Sequence, residues 1–204
     1  MPETLPPGPD GRERILFETR AEWRAWLAAN EDRTQGIWLV TWKRGTGRPS
    51  LSYDDLVEEA LCAGWIDSTA GRVDETRSML WVSPRRKGSA WSRPNKERVA
   101  RLEAAGLLRE PGIRAIERSK ADGTWSRLDQ VEEGVIPDDL EAAFDAVPGS
   151  REAFTGFSRS VRRMFLEWIA QARRPETRAA RVRETAERAA RGEKVPGPAR
   201  TPEG

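Results

Sequence analysis

The apolar positions of the N-terminal half change period several times, and each change marks an element. Trp23, Trp26 and Leu27 fall on one helical face just after Thr19 and Glu22, whose T-x-x-E order is that of a capping box. The run Ile37-Trp38-Leu39-Val40-Thr41-Trp42, β-branched and aromatic, predicts a strand, and residues 44–49 a turn. A second helix is expected from Ser52, with Asp55 at N3 and Leu51 against Leu56 as a hydrophobic staple. Leu56, Val57, Ala60 and Leu61 form its inner face, and Gly64 ends it. Residues 65–73 and 79–83 predict an antiparallel strand pair with a turn around Ala70-Gly71, followed by a basic loop over 84–89.

Beyond this loop the period is helical throughout. Ser92 is expected to cap a helix carrying Val99, Leu102 and Ala105 and ended by Gly106. Pro111-Gly112 opens another with Ile113 and Ile116, stopped at Asp122-Gly123. Pro137 opens a short helix through Phe144, closed by Pro148-Gly149. Val161, Phe165, Trp168, Ile169 and Ala172 give the clearest 3.6-residue period, and a last helix from Pro175-Glu176 places Ala179, Val182, Ala186 and Ala189 inward. The fold class is therefore α+β: a small antiparallel sheet with packed helices, followed by a helical C-terminal region. The expected organisation is a disordered N-terminus over 1–12, an α+β domain over 13–122, an acidic irregular connection over 123–136, a helical region over 137–191 and a disordered tail over 192–204.

Composition narrows the chemistry more than the fold. Histidine is absent, which removes serine–histidine and cysteine–histidine catalysis and histidine-ligated metals. The single cysteine, Cys62, lies in an apolar helical run and is expected to be a buried core thiol. No metal site and no cofactor are expected. Charge is segregated: residues 121–150 hold eight acids against Arg127, whereas 151–204 hold thirteen bases against seven acids. The expected consequence is mutual attraction between solvated helical regions, with an anion-binding C-terminal face as the alternative. The proline-rich opening lacks an apolar run, and no stretch approaches the roughly 20 apolar residues of a membrane span, so a cytoplasmic location is expected.

Residues 64–95 concentrate the candidate chemistry. Trp65, Asp67, Trp81, Arg85, Arg86, Lys87, Trp91, Ser92 and Asn95 form the candidate ligand-binding set, fitted to a small anionic or aromatic ligand. Strand alternation puts Trp65 and Asp67 on one face, where Asp67 is either paired with an arginine such as Arg85, Arg86 or Arg93, or turned to a cleft. The 84–89 loop offers guanidiniums suited to carboxylate or phosphate, beside Trp81 and Trp91 as stacking surfaces; without them it reads as a solvated turn. Ser92 and Asn95 fit a helix cap better than a nucleophile, since no base stands near. Trp23, Trp26, Trp38, Trp42 and Trp168 are expected in the core. Arg173, Arg174, Arg178, Arg181 and Arg183, interspersed with glutamates, favour ion pairs over a nucleic-acid surface.

Through GWIDS, WVSPRRKGSAWSRPN and WIAQARRPETRAARVRE, the chain resembles the YdeI/OmpD-associated, or bacteriocin-protection, family from about Trp23 to Glu193. The resemblance rests on three blocks in order, 51–68, 84–95 with the following helix, and 165–183. It implies a soluble bacterial protein acting as a stress or antimicrobial-peptide protection factor, and brings no catalytic residues with it. The leading expectation is a ligand-binding protection factor. An enzyme using Asp67 as general acid or base, and a nucleic-acid binder using the C-terminal arginines, stand as the alternatives.

Overall fold

The computed structural model describes residues 2–8 and 10–196. The chain divides into two compact units, one formed by Met1–Ser89 and Pro94–Asp122, the other by Ala90–Arg93 and Gly123–Gly204.

The first unit is a five-stranded sheet with helices on one face. Its elements are β1 (Glu3–Leu5), β2 (Arg14–Leu16), α1 (Arg20–Ala29), β3 (Ile37–Trp42), α2 (Tyr53–Cys62), β4 (Trp65–Arg72), β5 (Arg77–Pro84), α3 (Arg93–Ala104) and α4 (Glu110–Ala121). The strand order is β1-β2-β3-β5-β4. β2 pairs with β3 in parallel, so the sheet is mixed and not wholly antiparallel as expected. Two strands lie outside the sequence expectation. β1 lies inside the segment expected as a disordered N-terminus and pairs with β2, at the start of the expected domain; both strands are three residues long, too short for alternation to register.

Strand alternation gives the sheet two different faces. Ile15, Ile37, Leu39, Leu80, Val82 and Trp65 meet Phe17, Trp23, Leu27, Leu56 and Ala60 beneath α1 and α2. The opposite face carries Leu5, Leu16 and Val40, with Trp42 and Met79 packed against them. Local signals set the helices as the sequence predicts. Thr19 and Glu22 form the capping box of α1, and Ser52 Oγ accepts the Asp55 N–H at the start of α2. α4 packs close to the end of α2. A Cβ on Gly112 would meet the Cys62 carbonyl oxygen and lie 2.7 Å from that of Leu61, so only glycine fits there. Ile113 is exposed, whereas Gly112, Ala115, Ile116 and Ser119 are the buried residues of α4.

The second unit is helical: α5 (Asp129–Glu133), α6 (Asp138–Ala146), α7 (Ser150–Thr155), α8 (Arg159–Ala170) and α9 (Pro175–Ala190). Its core is Phe144, Phe154, Phe157 and Phe165 with Leu140, Ile169, Val182, Ala186 and Ala189. The acidic connection is not irregular throughout. It holds α5, because Leu128 and Val131 enter this core. α7 was not expected either; its six residues bury Ser150 and Phe154 only, too few for a visible period. Ala179 is exposed, so the inner face of α9 runs through Val182, Thr185, Ala186 and Ala189. The tail expected from 192 is described to Pro196 and has no regular element there; the rest lies outside the described residues.

Candidate functional site

A cavity of about 400 Å³ opens in the first unit where the ends of β3, β4 and β5 meet the start of α2. Trp42, Leu51, Leu56, Met79 and Leu80 give it apolar walls, and Thr41, Ser50, Ser52 and Ser78 line it with hydroxyls. The space has a local cause. The β4–β5 register shifts between Asp67 and Ala70, and past this bulge the small residues Ala70 and Gly71 face the opening.

The polar groups around the cavity are mostly committed. Thr41 and Ser78 hydroxyls lie 3.3 Å apart across the β3–β5 pair. Ser52 Oγ donates to Asp55 at 2.6 Å and Ser50 Oγ to the Trp42 carbonyl at 2.6 Å. Lys43 Nζ donates to the carbonyls of Asp74 and Glu75, which fixes it to the β4–β5 turn. Arg44, exposed on the rim, makes no hydrogen bond or ion pair among the described residues.

Tyr53 forms the boundary of this cavity and ties Asp67 to it. Its hydroxyl donates to the Asp67 carboxylate at 2.7 Å, and the Arg98 guanidinium lies 5.8 Å from its ring centre. Arg98 is itself held by Asp54 at 2.6 Å. Partial burial, then the hydrogen bond to Asp67, pushes the Tyr53 phenol up to about 12. At neutral pH Tyr53 is therefore a donor, and Asp67 is its acceptor, not the centre of an arginine fork.

The other predicted site residues lie elsewhere, and none of the nine lines this cavity. Trp65 is buried against Trp23 and Trp26 in the core. Trp81 lies on the opposite sheet face, edge-on to Trp38 at 5.3 Å and under the Arg12 guanidinium. The two rings cannot converge, because their positions on paired strands differ in parity. Arg85 is buried, its backbone N–H bonded to the Gly64 carbonyl. Burial pushes its guanidinium down to about 9 while the Asp67 charge raises it, so it stays cationic at neutral pH. Arg86 and Lys87 are exposed. Trp91 and Ser92 belong to the second unit, with Trp91 buried 4.9 Å from Trp125. Asn95, at the start of α3, accepts a hydrogen bond from Arg98. Sequence reasoning missed Thr41, Arg44, Ser50 and Ser78; turn chemistry explained Arg44 and strand pattern explained Thr41, which left no residual signal.

The C-terminal arginines are also largely engaged. Arg178 holds Asp139 with two bonds, at 2.7 and 3.0 Å. Arg181 donates to the Trp168 carbonyl and stacks 5.1 Å from its ring. Arg163 pairs with Glu132, and Arg151 with Glu141 and Asp145. Four acids of the 121–150 stretch, Glu132, Asp139, Glu141 and Asp145, are thus paired with arginines of the basic stretch that follows it. Trp168, expected in the core, is half-buried beside a groove. Among the described residues no cluster of three or more histidine, cysteine or acidic side chains is placed to hold a metal ion, and no helix is long and apolar enough to cross a membrane.

Comparison with protein families divides the chain in two. Residues 15–115 match a domain of unknown function (DUF8412). Residues 133–192 match the family described as bacteriocin-protection, YdeI or OmpD-associated. The family likeness is carried by the helices of the second unit. It includes the 165–183 block on which the resemblance rests, whereas the GWIDS and WSRPN blocks fall in the N-terminal match. The expected reach from Trp23 is thereby shortened to this segment. No curated protein and no solved structure matches the chain.

Proposed function

We propose that the protein is a protection factor that acts by binding a small anionic molecule in the N-terminal cavity. The observation that carries this reading is the pairing of a roomy, hydroxyl-lined cavity of about 400 Å³ with an uncommitted cation, Arg44, on its rim. Ligand sites typically join apolar walls to a few placed polar groups, and a guanidinium adds a fork for carboxylate or phosphate. The family description carried by residues 133–192 supplies the protective role. Asp67 serves by holding Tyr53 at the boundary, a positioning role. A cytoplasmic setting belongs to the same proposal; a single buried thiol, Cys62, pushed up to about 11 by burial, has no need of an oxidising compartment. The ion pair of Arg178 with Asp139 and the contacts of Arg181 with Trp168 weigh against the nucleic-acid alternative.

The test is a thermal-shift screen of the full chain with small carboxylates and organic phosphates. A ligand at about a hundred times its Kd should stabilise by about 2.7 kcal/mol. Arg44→Ala, an exposed change, should lose most of that shift, and Ala70→Leu should block it by filling the opening. If no member of the panel moves the melting temperature of the native protein, the reading fails.

A further inference from the structure

The reading above leaves unused the outward face of α8 in the second unit. The inner stripe of this helix, Phe165, Leu166 and Ile169, is buried in the phenylalanine core. Its outer stripe would ordinarily be polar, yet it carries Met164, 38% exposed, and Trp168 one turn later. These two side chains line a groove of about 800 Å³. One end of the groove shares Glu132, Arg159 and Arg163 with a narrower cavity of about 170 Å³, which Arg162 also lines.

The two ends differ in charge. The narrow end is lined by Arg159, Arg162 and Arg163 together with Glu132 and Glu133. Glu132 is already neutralised by Arg163 at 2.9 Å, and Arg159 lies 3.4 Å from the Glu132 carbonyl oxygen. The Arg162 guanidinium makes no hydrogen bond or ion pair among the described residues; only its backbone N–H is bonded, to the Ser158 carbonyl. At the other end Arg181 holds Trp168 through its ring and carbonyl, so the indole is a fixed apolar wall. An apolar surface left open beside a cationic pocket suits a ligand with both properties.

We propose that this groove binds a single-chain anionic amphiphile, its alkyl body against Met164 and Trp168 and its phosphate head at Arg159, Arg162 and Arg163. Burial of the chain supplies apolar contact, and the guanidiniums fix the head by charge-assisted hydrogen bonds. The site is separate from the N-terminal cavity and does not depend on the ligand proposed there.

The experiment is calorimetric titration of the full chain with dodecyl phosphate below its micelle concentration, beside inorganic phosphate and the neutral-headed dodecyl maltoside. Dodecyl phosphate should bind one to one, and each control at least about a hundredfold more weakly, since each lacks half of the recognition. Arg162→Gln and Met164→Glu, both surface changes, should each weaken it about tenfold or more with unchanged circular-dichroism melting. Arg44→Ala should bind it as the native protein does. In the native protein the Trp168 indole N–H, assigned with Trp168→Phe, should shift in the NMR spectrum on addition of dodecyl phosphate, which tests the site should a variant fail to fold. Absence of binding, a control binding as tightly, folded variants of undiminished affinity, or an unmoved Trp168 signal would each overturn the proposal.

Discussion

The two units build their cores from different materials. In the N-terminal unit the sheet joins distant segments, and its core holds tryptophans together with a carboxylate. Glu59 is only 3% exposed and is gripped by Arg20 at 2.6 Å, 39 residues away in sequence, and by Arg24 at 2.8 and 2.5 Å. The Trp23 indole donates to the Leu56 carbonyl at 3.1 Å in the same region. In the C-terminal unit the core is phenylalanine with aliphatic side chains, and its buried hydroxyls bond nearby backbone: Thr185 to the Arg181 carbonyl, Ser150 to that of Val147. Most ion pairs of that unit stay towards the solvent, and none holds a carboxylate as buried as Glu59, although Arg188 and Glu132 are largely covered. The N-terminal core thus depends on polar matches across long stretches of chain, and the C-terminal core mainly on volume.

The sharpest way to break this contrast is to strip the buried carboxylate of its partners. Arg20→Ala with Arg24→Ala leaves Glu59 charged and unpaired, and should cost about 3–5 kcal/mol in urea unfolding at pH 7. The same site predicts an acid dependence. Burial raises the Glu59 carboxyl, but Arg24 and Arg20 outweigh it and hold the group below its ordinary value of 4.5. Its folded value lies below the unfolded one, so its contribution is complete above pH 4.5 and is lost as pH falls through the folded value. Glu59→Gln should be less stable than the native protein at pH 7 and lose less of its stability on acidification. Equal acid sensitivity in the two proteins would show that Glu59 is not the group responsible.

A medium effect is expected where α4 approaches α2. Gly112→Ala would press a methyl group onto the carbonyl oxygens of Cys62 and Leu61, which are backbone and cannot rotate away. Overpacking of this kind costs about 1–3 kcal/mol, read as a lowered midpoint in thermal or urea unfolding. Gly106→Ala makes a useful companion, since its Cβ would meet nothing within 4 Å and any cost there comes from its positive φ of 65° alone.

These contacts also show where sequence reading succeeds. The capping box at Thr19, the Ser52 cap, the Leu51–Leu56 staple and the 37–42 strand depend on residues a few positions apart, and each forms as the pattern predicts. β1, β2 and α7 escape because three to six residues cannot establish a period. The candidate set escaped for a different reason. Trp65 and Trp81 are each as conspicuous as a binding aromatic, but strand parity sends them to opposite faces, a relation fixed by the β4–β5 register and not by composition. Asp67 was rightly placed on the same strand face as Trp65. Its partner, Tyr53, stood on a helix whose spacing gave no hint of that contact.

The smallest effect should come from the strongest-looking pair of the C-terminal unit. Arg178 grips Asp139 with two bonds, yet the side chains are 35% and 41% exposed. Water screens the attraction, and holding a long side chain in one geometry costs entropy, so Arg178→Ala should lose less than about 1 kcal/mol. The loss should shrink further in high salt, whereas the penalty for unpairing Glu59 should persist, because salt reaches an exposed pair and not a buried carboxylate. Measuring both variants in low and high salt therefore separates geometry from burial. Were Arg178→Ala to cost as much as the double arginine change, hydrogen-bond number would govern stability in both units, and the distinction between a matched polar core and a volume-filled one would fall.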